Sequence, residues 1–135
     1  MPYKLEEIEG IGPTYAKKLS VADITDTDSL LNLCGTREGR KQVAAKTGIS
    51  EQQLLKWSNM ADLMRISGIG PQYAELLEAA GVDTVKELRN RNPENLAAQL
   101  REVNEKKKLA RAVPAPSVVA EWVSLAKTTD PKISY

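Results

Sequence analysis

Two short stretches carry residues that could hold an anion without an acid, a base or a metal. Gly10-Ile11-Gly12-Pro13-Thr14-Tyr15 leads into Lys17 and Lys18, and Gly68-Ile69-Gly70-Pro71-Gln72-Tyr73 repeats the pattern 58 residues later. Two glycines around one apolar residue let the backbone take positive φ on either side while the isoleucine plugs a core. Proline then stands where a helix begins, and its missing N–H is harmless there because first-turn donors have no intrahelical partner. The N–H groups left on Gly12, Thr14 and Tyr15 point outward at the positive end of the helix dipole, a geometry that receives phosphate. The Thr14 hydroxyl adds a donor, and Lys17 and Lys18 add charge one turn further on. A tight helix connection would use the same glycines and proline, so the structural and the anion-binding readings both stand at this point.

The small residues Ala16 and Ala74 follow one turn into each helix and allow close approach. With them, the pattern resembles the helix-hairpin-helix motif of DNA polymerases, ligases and repair nucleases, in which Gly-apolar-Gly opens a helix that receives a DNA phosphate. Carried over by position, the resemblance implies Gly10, Gly12, Thr14 and Tyr15 as phosphate donors with Lys17 and Lys18 beside them. It implies Gly68, Gly70, Gln72 and Tyr73 as a weaker second set. In the second copy Glu75 replaces Lys17, Leu76 replaces Lys18 and Glu78 replaces Ser20. A carboxylate one turn from a phosphate repels it by a few tenths to about 1 kcal/mol in water. The second copy therefore reads as mainly structural, or as turned toward a protein. That bears on duplex binding, since tandem hairpins usually engage both copies, one per strand.

Composition narrows the choice of chemistry. The chain has 135 residues, no Phe, no His, 19 basic and 18 acidic residues, and a formal net charge of +1. That is not the balance of a dedicated nucleic-acid binder, so any attraction to phosphate must come from a local patch or from backbone dipoles. The single cysteine, Cys34, cannot close an internal disulfide. No apolar run approaches the ~20 residues that span a bilayer, and Met1-Pro2-Tyr3-Lys4-Leu5 leads into an acidic helix rather than a signal sequence. The expectation is a cytoplasmic protein with no membrane contact.

The elements that position the glycine turns are helical throughout. The spacing predicts a first helix over Pro2 to Glu9, a second from Pro13 to about Ala22 with Tyr15, Ala16 and Leu19 on its inner face, and a third from Thr27 to before Gly35. Asp23 and Gly81 occupy matching left-handed cap positions. Thr36 caps a helix that Thr47-Gly48 stops, and Ser50 with Gln53, like Thr84 with Glu87, has the form of a capping box. The helix from Ser50 runs without Gly or Pro toward Leu63. In the second half helices follow from Pro71 to Ala80 and from Pro93, capped by Asn92, to about Asn104. Trp122 and Ala126 match Trp57 and Ala61 at an offset of 65, so the second unit has gained seven residues, most naturally between Glu102 and Pro114. The expected fold is all-α, about ten short helices in duplicated helix-hairpin-helix units packed as one compact helical body. The expected boundaries are 1–62 and 63–127, with a loosely held tail over 128–135. Ile8, Ile11, Leu19, Ile24, Leu30, Ile66, Ile69, Leu77, Val82 and Leu88 form its predicted core.

Several runs carry a second resemblance over nearly the whole chain. Asn59-Met60-Ala61-Asp62-Leu63-Met64-Arg65-Ile66, Leu76-Leu77-Glu78-Ala79-Ala80-Gly81-Val82 and Arg91-Asn92-Pro93-Glu94-Asn95-Leu96 are similar to the bacterial domain of unknown function 4332. This implies a tandem helix-hairpin-helix fold and brings no activity with it.

Other residues favour plainer roles. Lys106, Lys107, Lys108 and Arg111 stand beside Glu102 and Glu105 and read as a solvated helix face. Trp57 and Trp122 could stack bases, but their matching places favour core packing, and Tyr15 and Tyr73 read as core rings with a hydroxyl at the rim. Cys34 has no evident base, and no Asp/Glu cluster has metal-ligand spacing. No enzyme, metal or cofactor is expected. Two functions remain: a non-sequence-specific DNA or other nucleic-acid binding module, and a protein-protein interaction adaptor built on the same fold.

Overall fold

A left-handed glycine makes each of the two turns. In the computed structural model, which describes residues 2–135, Gly10 has φ +95° and Gly68 φ +93°. Two residues on, Gly12 and Gly70 share extended angles of φ −90° with ψ −176° and −174°, and each is followed by proline at the first helical position. The hydrogen bonds around the turns also recur at the same spacing. Ile8 N–H donates to Leu5 O at 3.0 Å and Ile66 N–H to Leu63 O at 3.1 Å; Ala16 N–H donates to Gly12 O at 3.0 Å and Ala74 N–H to Gly70 O at 2.9 Å. The left-handed caps are present at Asp23, φ +63°, and Gly81, φ +91°.

The chain divides into two compact units, Met1–Asp62 with Lys132–Tyr135, and Leu63–Pro131. The first holds a 3-10 helix Leu5–Glu7, α1 Pro13–Val21, α2 Thr27–Cys34, α3 Arg37–Thr47 and all but the last residue of α4 Glu51–Leu63. The second holds α5 Pro71–Ala79, α6 Val85–Arg89, α7 Pro93–Lys107 and α8 Pro116–Lys127. Among the described residues there is no strand, only an isolated antiparallel bridge between Lys4 and Asp26.

Three expectations need correction. The helix proposed over Pro2 to Glu9 is only the 3-10 turn Leu5–Glu7, because Ile8 is already extended at φ −79°, ψ 130°, ahead of the left-handed glycine. Of the about ten expected helices, nine form among the described residues, since α4 runs to Leu63 and its end supplies the helix before the second turn. The tail is not loosely held. Lys132 N–H donates to Asp62 Oδ2 at 3.1 Å, Ser134 N–H to Gly35 O at 2.7 Å, and Arg40 Nη2 to Ser134 O at 2.6 Å.

All ten predicted core residues are buried. Below each turn lies a fully buried tryptophan, Trp57 from α4 and Trp122 from α8. Trp57 meets the Tyr15 ring edge-on at 5.1 Å between centroids, and Trp122 meets Tyr73 at 5.2 Å. A Cβ on Gly10 would lie 3.3 Å from Trp57 Nε1, and one on Gly68 only 2.9 Å from Trp122 Nε1. Each glycine is thus required twice, for its backbone angle and for the room its missing side chain leaves to the indole. Gly12 is different, with no atom within 4 Å of a Cβ placed there.

Side chains start the helices as the caps predict. Gly39 N–H donates to Thr36 Oγ1, Gln53 N–H to Ser50 Oγ, Glu87 N–H to Thr84 Oγ1 and Asn95 N–H to Asn92 Oδ1. At α2 the cap is a carboxylate. Ser29 N–H donates to Asp26 Oδ1 at 2.8 Å, and this bond, with one from the Ser29 hydroxyl, holds the Asp26 carboxyl below its ordinary value of 3.8.

Two outcomes follow for stability. Trp57→Ala should lower stability by ~3–5 kcal/mol and Gly68→Ala by ~1–3 kcal/mol, while Gly12→Ala should be nearly neutral, all read by chemical denaturation. Asp26→Ala should cost ~0.5–2 kcal/mol at neutral pH. A carboxyl whose pKa is depressed by folding stabilises above its unfolded value and loses that contribution as pH falls through the folded one. Melts of the two proteins should therefore converge below pH 3.8.

Candidate functional site

The first turn presents its donors to open solvent. Because Ala16 N–H makes the first intrahelical bond, to Gly12 O, the N–H groups of Thr14 and Tyr15 precede the ladder. Gly12, at the N-cap, has no side chain to satisfy them. Gly10, Gly12, Thr14, Lys17 and Lys18 are exposed, and Tyr15 keeps 40% of its surface accessible. The Lys18 ammonium lies 5.7 Å from the Tyr15 ring centroid. Tyr15 was placed on the inner face of its helix by spacing alone; the ring instead leans over Trp57 with an outer face in water.

The second turn has the same backbone and a different cover. Leu76, which stands where Lys18 does, is fully buried, as is Ala74 where Ala16 is half-buried. Gly70 and Tyr73 are half-buried, whereas Gly68 and Gln72 remain exposed. The Tyr73 hydroxyl donates to Ala112 O at 3.1 Å. That acceptor belongs to the inserted segment after α7, which Asn104 pins by accepting from Ala110 N–H at 2.9 Å and donating to Ala110 O at 3.0 Å. At the far end of α5, Gln99 Nε2 donates to Ala80 O at 3.0 Å. The segment after α7 thus reaches the second turn through Tyr73. Lys106 pairs with Glu102 at 3.5 Å on the exposed last turns of α7, as a solvated face does.

The family model described as Domain of unknown function (DUF4332) matches residues 9–129, a span that contains both glycine turns and both tryptophans. The chain belongs to this family. No curated protein and no solved structure matches it. In this DUF4332 chain no group of three or more His, Cys, Asp or Glu among the described residues could hold a metal ion. No helix there is long and apolar enough to cross a membrane. Burial pushes the Cys34 thiol up to about 11, against a smaller opposing pull from Arg40.

Spacing did not reveal the residues that hold the tail. Arg40 is one of four basic residues along α3, with Arg37, Lys41 and Lys46, yet it is buried and donates to Cys34 O, Gly35 O and, 94 residues away, Ser134 O. In the second unit Arg65 Nη1 donates to Asp130 O at 3.1 Å and Arg89 Nη2 to Thr129 O at 2.8 Å. Their acceptors are distant main-chain carbonyls, which leave no local signature.

The contrast between the turns can be tested by exchanging the matching residues. Lys18→Leu should leave the melting temperature nearly unchanged, since the site is exposed. Leu76→Lys should destabilise by ~3 kcal/mol or more, because it forces an ammonium into a fully covered place.

Proposed function

We propose that the chain is a tandem helix-hairpin-helix module that binds nucleic acid without sequence preference and without catalysis, and that its first hairpin holds the phosphate. The observation that carries this reading is the uncapped start of α1, where the N–H groups of Thr14 and Tyr15 face solvent beside exposed Lys17 and Lys18. Backbone donors at a helix N-terminus with two nearby cations suit a phosphate diester and read no base. The recurrence of turn angles and hydrogen bonds at a 58-residue spacing supports a duplicated hairpin. Gly68, Gly70, Gln72 and Tyr73 play the lesser part, since Glu75 and buried Leu76 replace the two lysines. The cytoplasm, where nucleic acid is at hand, is the compartment this function requires. An adaptor reading draws on Val21, an aliphatic side chain at the end of α1 that is 73% exposed.

Binding should be weak and asymmetric. With few lysines at the phosphate, ~2–4 counterions should be released, giving a log K against log salt slope near −2 to −4 and a Kd of about 10⁻⁴ to 10⁻⁶ M. Fluorescence anisotropy with labelled duplex and single-stranded DNA at two salt concentrations measures both. Lys17→Glu with Lys18→Glu should abolish binding, and Glu75→Lys should strengthen it, with melts unchanged. No binding by the wild type at low salt would overturn this reading in favour of the adaptor. Equal losses from mutations in either hairpin would refute the asymmetry.

A further inference from the structure

We propose that the first unit carries a docking slot for extended backbone, filled in this structure by residues 132–135 and open by exchange to the same segment of a second copy. The walls of the slot are polar and buried. Arg40, Asn59 and Asp62 are each more than nine-tenths covered, and they meet the segment through Arg40 Nη2 to Ser134 O, Lys132 N–H to Asp62 Oδ2, and the Tyr135 hydroxyl to Asn59 Oδ1 at 3.2 Å. The floor is Gly35, whose carbonyl accepts from Ser134 N–H. Its φ of −67° suits any residue, so the glycine is not there for its backbone angle. A Cβ at that position would lie 2.6 Å from both Leu31 O and Lys132 O, and only glycine lets the segment come so near.

The slot addresses main chain rather than side chains. Three of its four bonds go to the N–H groups of Lys132 and Ser134 and to the Ser134 carbonyl. The occupant contributes little apolar burial, since Lys132, Ser134 and Tyr135 are exposed and Ile133 is half-buried. A segment held by hydrogen bonds with little apolar burial can open without unfolding the core beneath it. The walls do not tolerate vacancy as easily, because a buried guanidinium and a buried carboxylate each lose a hydrogen-bond partner. Arg40 is also fixed in place by its bonds to Cys34 O and Gly35 O, so the slot stays formed when the segment departs. Upstream, Asp130 and Thr129 are anchored by Arg65 and Arg89 of the second unit. Pro131, with no N–H to give, separates the two anchored stretches. A second copy offers the same main chain and the same Tyr135 phenol, and therefore satisfies every bond of the slot.

The test uses the full chain with a labelled synthetic peptide of residues 128–135. In Ser134→Pro the chain's own segment loses a donor and no longer competes, so the peptide should bind this variant about tenfold more tightly than wild type by anisotropy. N-methylation of the peptide at Ser134 should remove that gain, whereas Lys132→Ala in the peptide should not. Tyr135→Phe, which leaves the main chain intact, serves as a second receptor and should bind the peptide more tightly than wild type. Light scattering of wild type should show a dimer fraction that rises with concentration toward ~1 mM and falls when peptide is added in excess. Equal affinity for wild type and both variants, undiminished binding of the N-methylated peptide, or a wild type that stays monomeric throughout would overturn the proposal.

Discussion

The packing of one indole against one glycine governs each unit. A Cβ on Gly10 would press against Trp57 Nε1 at 3.3 Å, and one on Gly68 against Trp122 Nε1 at 2.9 Å. From this contact the rest can be followed outward. The left-handed glycine sets the exit angle of the chain, the next apolar residue drops into the core, and proline starts the following helix in a fixed direction. The tyrosine three residues after the second glycine then returns to the same indole. Its ring ties the new helix to the tryptophan that supports the turn. Trp57 Nε1 is left buried without an acceptor, an unfavourable arrangement that the packing around it must outweigh.

The two turns differ in what covers them rather than in how they are made. Their angles agree within a few degrees, so the unpaired first-turn donors exist in both. In the second unit the segment after α7 reaches Tyr73, and a leucine stands where the first has a lysine. Charge and cover have changed together. The same backbone geometry thus stands in two different surroundings.

Much of this was legible in sequence because it is local. Glycines at fixed spacing, a proline behind them, and Ser, Thr or Asn ahead of a helix act through neighbours within four residues, and the caps at Thr36, Thr84 and Asn92 formed where spacing placed them. The core followed from the shared apolar positions of the two repeats. The exposed ring of Tyr15 and the burial of Arg40 were not legible, for both depend on partners far along the chain. The hold on the tail was not legible for the same reason, since it comes from arginines and a carboxylate elsewhere in the chain. The start of the chain was not legible, since nothing in Pro2 to Glu9 marks Ile8 as the extended residue that ends the 3-10 turn ahead of Gly10.

The placement of the tryptophans has an optical consequence. The chain has two, one beneath each turn, both shielded from water and each next to a tyrosine. Replacing either one leaves a protein whose indole emission comes from a single unit. Each unit therefore carries its own intrinsic fluorophore, so that the unfolding of one turn can be followed without attaching a dye and without interference from the other.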